Sequence, residues 1–222
     1  MIPDDDTLTE TGLEAPPSPA RVLLIACGAL AREILAVRDA NGWSNLDLAC
    51  LPAKLHNRPQ LIPDAVRARI RRARADGYRR VFVVYADCGT GGLLDAVCAD
   101  EGVERIAGPH CYGFFEGNEV FAAHAEEIGA FYLTDFLARQ FETLIWKGMG
   151  FDRHPELVRM MFGNYEKVVY LAQTDDPELD ARARAGAERL GLGFEKRRTG
   201  YGDLPAFLAR AADAKGRPPI DA

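Results

Sequence analysis

The sequence predicts an α/β protein, a mainly parallel sheet sandwiched by helices in a Rossmann-like three-layer arrangement. Three observations predict it. Short β-branched runs, "VLLIAC", "VFVVY" and "VVYLA", recur along the chain. None shows the polar alternation of a half-exposed strand, so each is expected to be buried on both faces. The stretches between them carry a helical period, and strands alternating with helices build parallel sheets.

Residues 1–20 hold "DDD" and "APPSPA" without a hydrophobic period and are expected to be a disordered leader. Residues 21–213 are expected to form one α/β domain, with a subdivision into two pseudo-repeated halves near 128 as the alternative. The first strand is Val22–Ala26, followed by an amphipathic helix over Ala29–Ala40 that stops at "NGW". Leu46–Leu51 is the second strand, Pro63–Asp76 a helix and Val81–Ala86 the strongest strand signal. "GTGG" opens a short helix over Gly92–Glu101, and Glu104–Ala107 is a short strand. Phe131–Leu133 is extended, with Thr134 as N-cap of a helix through Trp146. Pro155–Phe162 is helical and Val168–Ala172 a strand. In "TDDPELD" an acidic cap precedes a proline in the first turn, which starts a helix over Pro177–Leu190. A strand over Phe194–Arg198 and a helix over Asp203–Ala212 close the series, and 214–222, ending "RPPIDA", is a flexible tail.

Composition excludes several function classes. A net charge of −6 argues against nucleic-acid or anionic-membrane partners. No apolar run approaches the roughly 18 residues of a membrane span, and the acidic N-terminus lacks the layout of a secretion signal. The expected location is the cytoplasm. The local run Arg67, Arg69, Arg71, Arg72, Arg74 falls on a predicted helix and reads as a solvated face. Five cysteines in such a protein point to free, catalytic or metal-bound thiolates rather than a disulfide scaffold.

Three of those cysteines, Cys27, Cys88 and Cys111, stand where predicted strands run out. In open α/β sheets ligands bind beyond the carboxyl ends of the strands, so these residues are delivered to one edge. Glycines beside them, Gly28, Gly89, Gly91 and Gly92, give a ligand room to approach the backbone. Amides at helix starts after Cys27 and Cys88 favour thiolates. Converging thiolates repel one another unless a cation neutralises them, which leads from cysteines to a metal or cluster. The competing reading is three small buried hydrophobes, since cysteine is among the most buried residue types. Cys98, in the apolar register of a helix, and Cys50 read that way.

"VLLIACGALARE" also looks like the opening of a dinucleotide-binding unit. Its first glycine slot holds Ala26, and the next strand ends without the acid that would bind a ribose, so no NAD is expected. "DCGTGG" could cradle a phosphate or carboxylate, but without a P-loop lysine it does not predict a nucleoside triphosphate. His56, after the second strand, and His110, beside Cys111, are the candidate acid/base groups, and His56 is also a candidate ligand. Tyr85 and Asp87 flank Cys88. In "GAFYLTDFLARQFETLIWKG", Tyr132, Thr134 and Trp146 could line a pocket, with core packing as the default.

The segments "ACGALARE", "LHNRPQL", "VVYADCGTGGL", "RIAGPHCYGFFEG" and "GAFYLTDF" follow in order over residues 21–200. In them the chain resembles the bacterial and archaeal family catalogued as domain of unknown function 1638. The resemblance sets Cys27, His56, Cys88 and Cys111 on family positions. It implies a one-carbon setting, because members accompany corrinoid-dependent methyltransferase systems that demethylate quaternary amines. One motif departs: His110 adjoins Cys111 directly, where members read more like His-Asp-Cys.

The leading expectation is a metalloprotein with Cys27, Cys88 and Cys111 as thiolate ligands and His56 or His110 as fourth ligand or acid/base. Zinc and a three-cysteine [4Fe–4S] cluster suit this set equally. Expected partners are a small-molecule or methyl-donor ligand and a corrinoid protein or methyltransferase. The alternatives are a non-catalytic module that binds a corrinoid or methylated ligand, and a thiol enzyme with Cys88 activated by His56.

Overall fold

The computed structural model describes residues 3–15, 22–124 and 126–213. The expected tail, and residues 16–20 of the expected leader, lie outside the described residues. The chain divides into two compact units, one holding residues up to Cys111 and from Leu204 on, the other Tyr112–Asp203. The division therefore falls at Cys111, not near 128.

Residues 3–15 correct the expectation of a disordered leader. Helix α1 spans Asp5–Glu10, and the Asp4 carboxylate caps it by accepting the Thr7 N–H at 2.8 Å. Leu8 is 0% exposed, and Leu13 exchanges backbone hydrogen bonds with Cys50. Isolated apolar anchors in a polar stretch are invisible to a search for periodicity.

The first unit continues with β1 (Val22–Cys27), a 3-10 turn over Gly28–Leu30, α2 (Ala31–Ala40) and β2 (Leu46–Leu51). Further 3-10 turns at Ala53–Asn57 and Pro59–Leu61 lead into α3 (Ile62–Ala75), β3 (Arg80–Val84), α4 (Leu93–Asp100) and β4 (Glu104–Arg105). The four strands are parallel in the order β2-β1-β3-β4. Leu24 on β1 lies in register with Leu48 and Phe82, and every β1 residue is buried, which is why its sequence shows no alternation. Arginines of α3 do more than face solvent. Arg71 and Arg74 both pair with Glu101 just after α4, at 2.8 and 2.6 Å, fixing one helix against the next.

The second unit holds α5 (Gly113–Glu116), α6 (Asn118–Ala123), β5 (Ala130–Thr134), α7 (Asp135–Arg139), α8 (Glu156–Phe162), β6 (Lys167–Ala172), α9 (Pro177–Leu190) and β7 (Gly193–Arg198). Its strands are also parallel, in the order β5-β6-β7. Thr134 caps α7, but the expected helix through Trp146 is interrupted after Arg139 and resumes as a π-helix over Phe141–Lys147. The wider turn sets Phe141 against α9 at Gly186, where an added Cβ would stand only 2.9 Å from the ring. Leu133, Phe151, Val168, Tyr170 and Ala183 form the core of this unit.

The chain then returns to the first unit with α10 (Leu204–Asp213). Its Phe207 meets Phe82 of β3 edge-on at 6.1 Å, and Asn45 donates to the Ala212 carbonyl at 3.0 Å. The α/β class with parallel strands flanked by helices is as expected, built as two sheets rather than one. Among the described residues no helix is long and apolar enough to cross a membrane.

Candidate functional site at the edge of the first sheet

Strand β1 has β2 on one side and β3 on the other, so the chain reverses its direction of winding between them. The crevice beyond the carboxyl ends of β1 and β3 is thus a topological switch point, where open α/β sheets bind ligands. Cys27 is the last residue of β1, and Cys88 follows β3. Cys111 arrives from the next strand because the β3–β4 pairing carries on irregularly beyond its short ladder. The Asp87 N–H donates to the Gly108 carbonyl at 3.0 Å and the Cys88 N–H to the Pro109 carbonyl at 2.8 Å. The result is a sulfur–sulfur contact of 3.2 Å between Cys88 and Cys111.

Cys88 adopts φ +48°, the left-handed region that side-chain-bearing residues seldom occupy. Asp87 holds the loop that imposes it. Its carboxylate accepts the Thr90 hydroxyl at 2.7 Å and the N–H groups of Gly91 and Gly92 at 3.1 and 2.8 Å. Burial works to raise the Asp87 pKa, but these donors outweigh it and the carboxyl stays below its ordinary value. The amides that the sequence offered to a phosphate thus already serve an internal carboxylate. At Gly28 the space expected for a ligand is taken by the chain itself: a Cβ there would overlap the Leu8 carbonyl of α1.

The thiols share one electrostatic environment. Cys88 sits below the usual thiol value, chiefly because Cys111 donates to its sulfur, while burial opposes this and the Cys111 N–H assists. Cys111 sits correspondingly far above, from that same hydrogen bond and then burial. The contact thus couples the two titrations and favours Cys88 over Cys111 as the first to lose a proton. The Ala86 amide favours the charged form of both sulfurs. Burial pushes Cys27 up to about 11 against help from the Ala29 N–H. Tyr85, 1% exposed, sets its hydroxyl beside the Cys27 sulfur, and each group acts on the titration of the other. Burial first, then the field of Cys27, raise the Tyr85 pKa well above normal.

A family described as "Protein of unknown function (DUF1638)" matches residues 50–208. The chain belongs to that family. No curated protein and no solved structure shows significant similarity to it. The matched span of this DUF1638 protein contains His56, Cys88, His110 and Cys111, whereas Cys27 precedes it.

His56 lies in the 3-10 turn after β2, at the same carboxyl edge, and within the field of His110. Its residue is open to solvent but crowded by protein, and that crowding, then His110, lowers its pKa. Burial lowers His110 too, against the pull of Asp87. Both imidazoles are therefore biased toward the neutral form, able to accept protons. In each case the folded value lies below the unfolded one, near 6.5. The unfolded chain binds protons first on acidification, so stability present above pH ~6.5 is lost as pH falls toward the folded values. The urea midpoint at pH 5.5 is expected to lie below that at pH 7.5, with a smaller gap in His56→Gln. An unchanged midpoint would refute the histidine assignment.

Among the described residues no group of three or more His, Cys, Asp or Glu side chains stands arranged to hold a metal ion. The three-sulfur shell that the sequence suggested for a cluster is not assembled among the described residues, where the sulfur–sulfur contact joins Cys88 to Cys111. Cys50 bridges to Leu13, and Cys98 is buried on α4; burial raises both, Cys98 to about 11. Tyr132 and Thr134 belong to the second unit. Tyr132 stacks on Tyr112 at 5.1 Å and donates to Glu127 at 3.3 Å, while Thr134 accepts the Leu137 N–H. Trp146 carries Arg189 over its ring at 3.7 Å. Sequence reasoning missed the Ala86 amide and Thr90. A backbone donor leaves no mark in a sequence, but Thr90, three residues after Asp87, is a recognisable side-chain turn signal.

Proposed function

We propose that this DUF1638 protein is a metalloprotein centred on Cys88 and Cys111, acting in the corrinoid-linked one-carbon setting that the family resemblance implies. The contact of two sulfurs from the segments that follow β3 and β4, beside a topological switch point, carries the reading. Thiolates suit zinc, which supplies Lewis acidity and activates a bound thiol or water. Cys88 and Cys111 would hold it, and Cys27 would join only if a bound cation displaced its proton to a neighbouring base or to solvent. The residues fit a two-sulfur site, not a preassembled three-sulfur one. The Tyr85 hydroxyl would support the Cys27 sulfur, and neutral His110 and His56 would take up protons released when thiols deprotonate.

The test is elemental analysis for zinc, iron and sulfide after anaerobic purification. Stoichiometric metal is expected in the wild type, with most of it lost in Cys88→Ser. Wild-type protein that holds none removes the proposal. A second reading, a thiol enzyme acting through Cys88, is favoured by the lowered Cys88 pKa. Rapid alkylation of Cys88 in protein as purified, with no acceleration by chelator, would select it.

A further inference from the structure

We infer that Cys88 and Cys111 are a dithiol–disulfide couple, exchanging two electrons with a small disulfide. This goes beyond the metal reading and stands on the geometry of the pair alone. The sulfurs need only close from 3.2 Å to the ~2.05 Å of a disulfide. Both residues lie outside helices and strands, so side-chain rotation achieves this without breaking a ladder. Their backbones are already tied together by the hydrogen bond from the Cys88 N–H to Pro109. The left-handed backbone of Cys88, held by the Asp87 network, aims its side chain at Cys111 and not along the strand. The other three cysteines are placed differently: Cys27 at the end of β1, Cys50 within β2 and Cys98 on α4, each buried.

The chemistry balances with a disulfide RSSR as oxidant. One protein thiolate attacks a sulfur of RSSR, forming a mixed disulfide and releasing RS⁻. The neighbouring thiol gives up its proton to that RS⁻, and its sulfur displaces the second RS⁻, which takes up a proton from solvent. The internal S–S bond forms, the protein pair is oxidised by two electrons, and RSSR is reduced to two RSH. The oxidised pair has no thiolate to offer, so disulfide formation and metal occupancy exclude each other. Oxidation thereby controls whether the site can be loaded.

The experiment uses the full chain, reduced, stripped of metal with chelator and incubated anaerobically with glutathione disulfide. Free thiols titrated in denaturant are expected to fall from five to three, and peptide mapping to find Cys88 joined to Cys111. Dithiothreitol should restore all five. A titre that stays at five, a stable glutathione adduct without internal linkage, or a bridge using any other cysteine would overturn the couple. Mapping on the wild type needs no variant to fold. The metal content of protein as purified is a separate measurement, so either proposal can fail without the other.

Discussion

Replacing Asp135 with alanine is expected to destabilise the second unit by about 3–5 kcal/mol. Asp135 is 0% exposed, at the junction of β5 and α7. Its carboxylate accepts the Tyr170 hydroxyl at 2.7 Å, the N–H groups of Gln173 and Thr174 at 3.0 and 2.9 Å, and the Thr174 hydroxyl at 2.5 Å. The Asp135 N–H in turn donates to the Gln173 side chain at 2.8 Å. One carboxylate thus ties the ends of two adjacent strands together and satisfies the buried Tyr170 hydroxyl and Gln173 N–H, with the more exposed Thr174 donating at the rim. Alanine leaves the Tyr170 hydroxyl and the Gln173 N–H without an acceptor, and each buried donor costs about 1–3 kcal/mol. Asparagine should recover only part of the loss, since its amide would present a donor to donors. Trp146 lies in this unit and Trp43 in the other, so urea unfolding followed by fluorescence in a Trp43→Phe background reads the relevant transition. A midpoint within error of the parent would show that the network carries no stability.

Gly202→Ala should cost about 2–4 kcal/mol in the same unit. Gly202 has φ +47°, and a Cβ there would overlap the Phe114 carbonyl oxygen and stand 2.5 Å from that of Phe115. Backbone oxygens cannot rotate away as a side chain would. The next residue shows what the close approach achieves. The Asp203 N–H donates to the Phe114 carbonyl at 2.8 Å, and its carboxylate accepts both the N–H and the side-chain amide of Asn118, at 2.7 and 3.0 Å. Gly202 and Asp203 together clamp the junction of α5 and α6. The substitution is expected to lower the Trp146 unfolding midpoint and to raise proteolysis within 112–124, whereas Gly42→Ala, at a positive φ with open space around it, should cost far less. Equal losses at the two glycines would mean that φ alone, and not the clamp, sets the penalty.

The strands were legible because burial on both faces writes an uninterrupted β-branched run. β1, β2 and β6 have nearly the predicted bounds, and α9 has them to the residue, since its Asp176 cap, Pro177 and Gly191 are all local signals. The helix α1 was not legible: Leu8 and Leu13 are held by contacts with residues far along the chain. The π-helix was hidden for a similar reason, because Gly186 lies distant in sequence from Phe141. At the site, strand-end placement brought Cys27, Cys88 and Cys111 to one edge as read. Which two sulfurs touch depends on the irregular pairing of Asp87 and Cys88 with Gly108 and Pro109, which follows no propensity. That Asp87 serves its own loop was not legible, because a carboxylate followed by glycines looks the same in sequence whether it serves a ligand or its own loop.

The return of α10 to the first unit makes that unit discontinuous. On a ribosome, strands β1 to β4 emerge while the helix whose Leu204, Phe207 and Leu208 lie almost wholly buried in the finished protein is still unmade. The 92 residues of Tyr112–Asp203 must be synthesised first, and they can settle around β5–β7 before the earlier segment is complete. Order of birth and order of completion are therefore inverted: the cysteine-bearing half starts first and finishes last, exposing apolar sheet surface to chaperones in the interval.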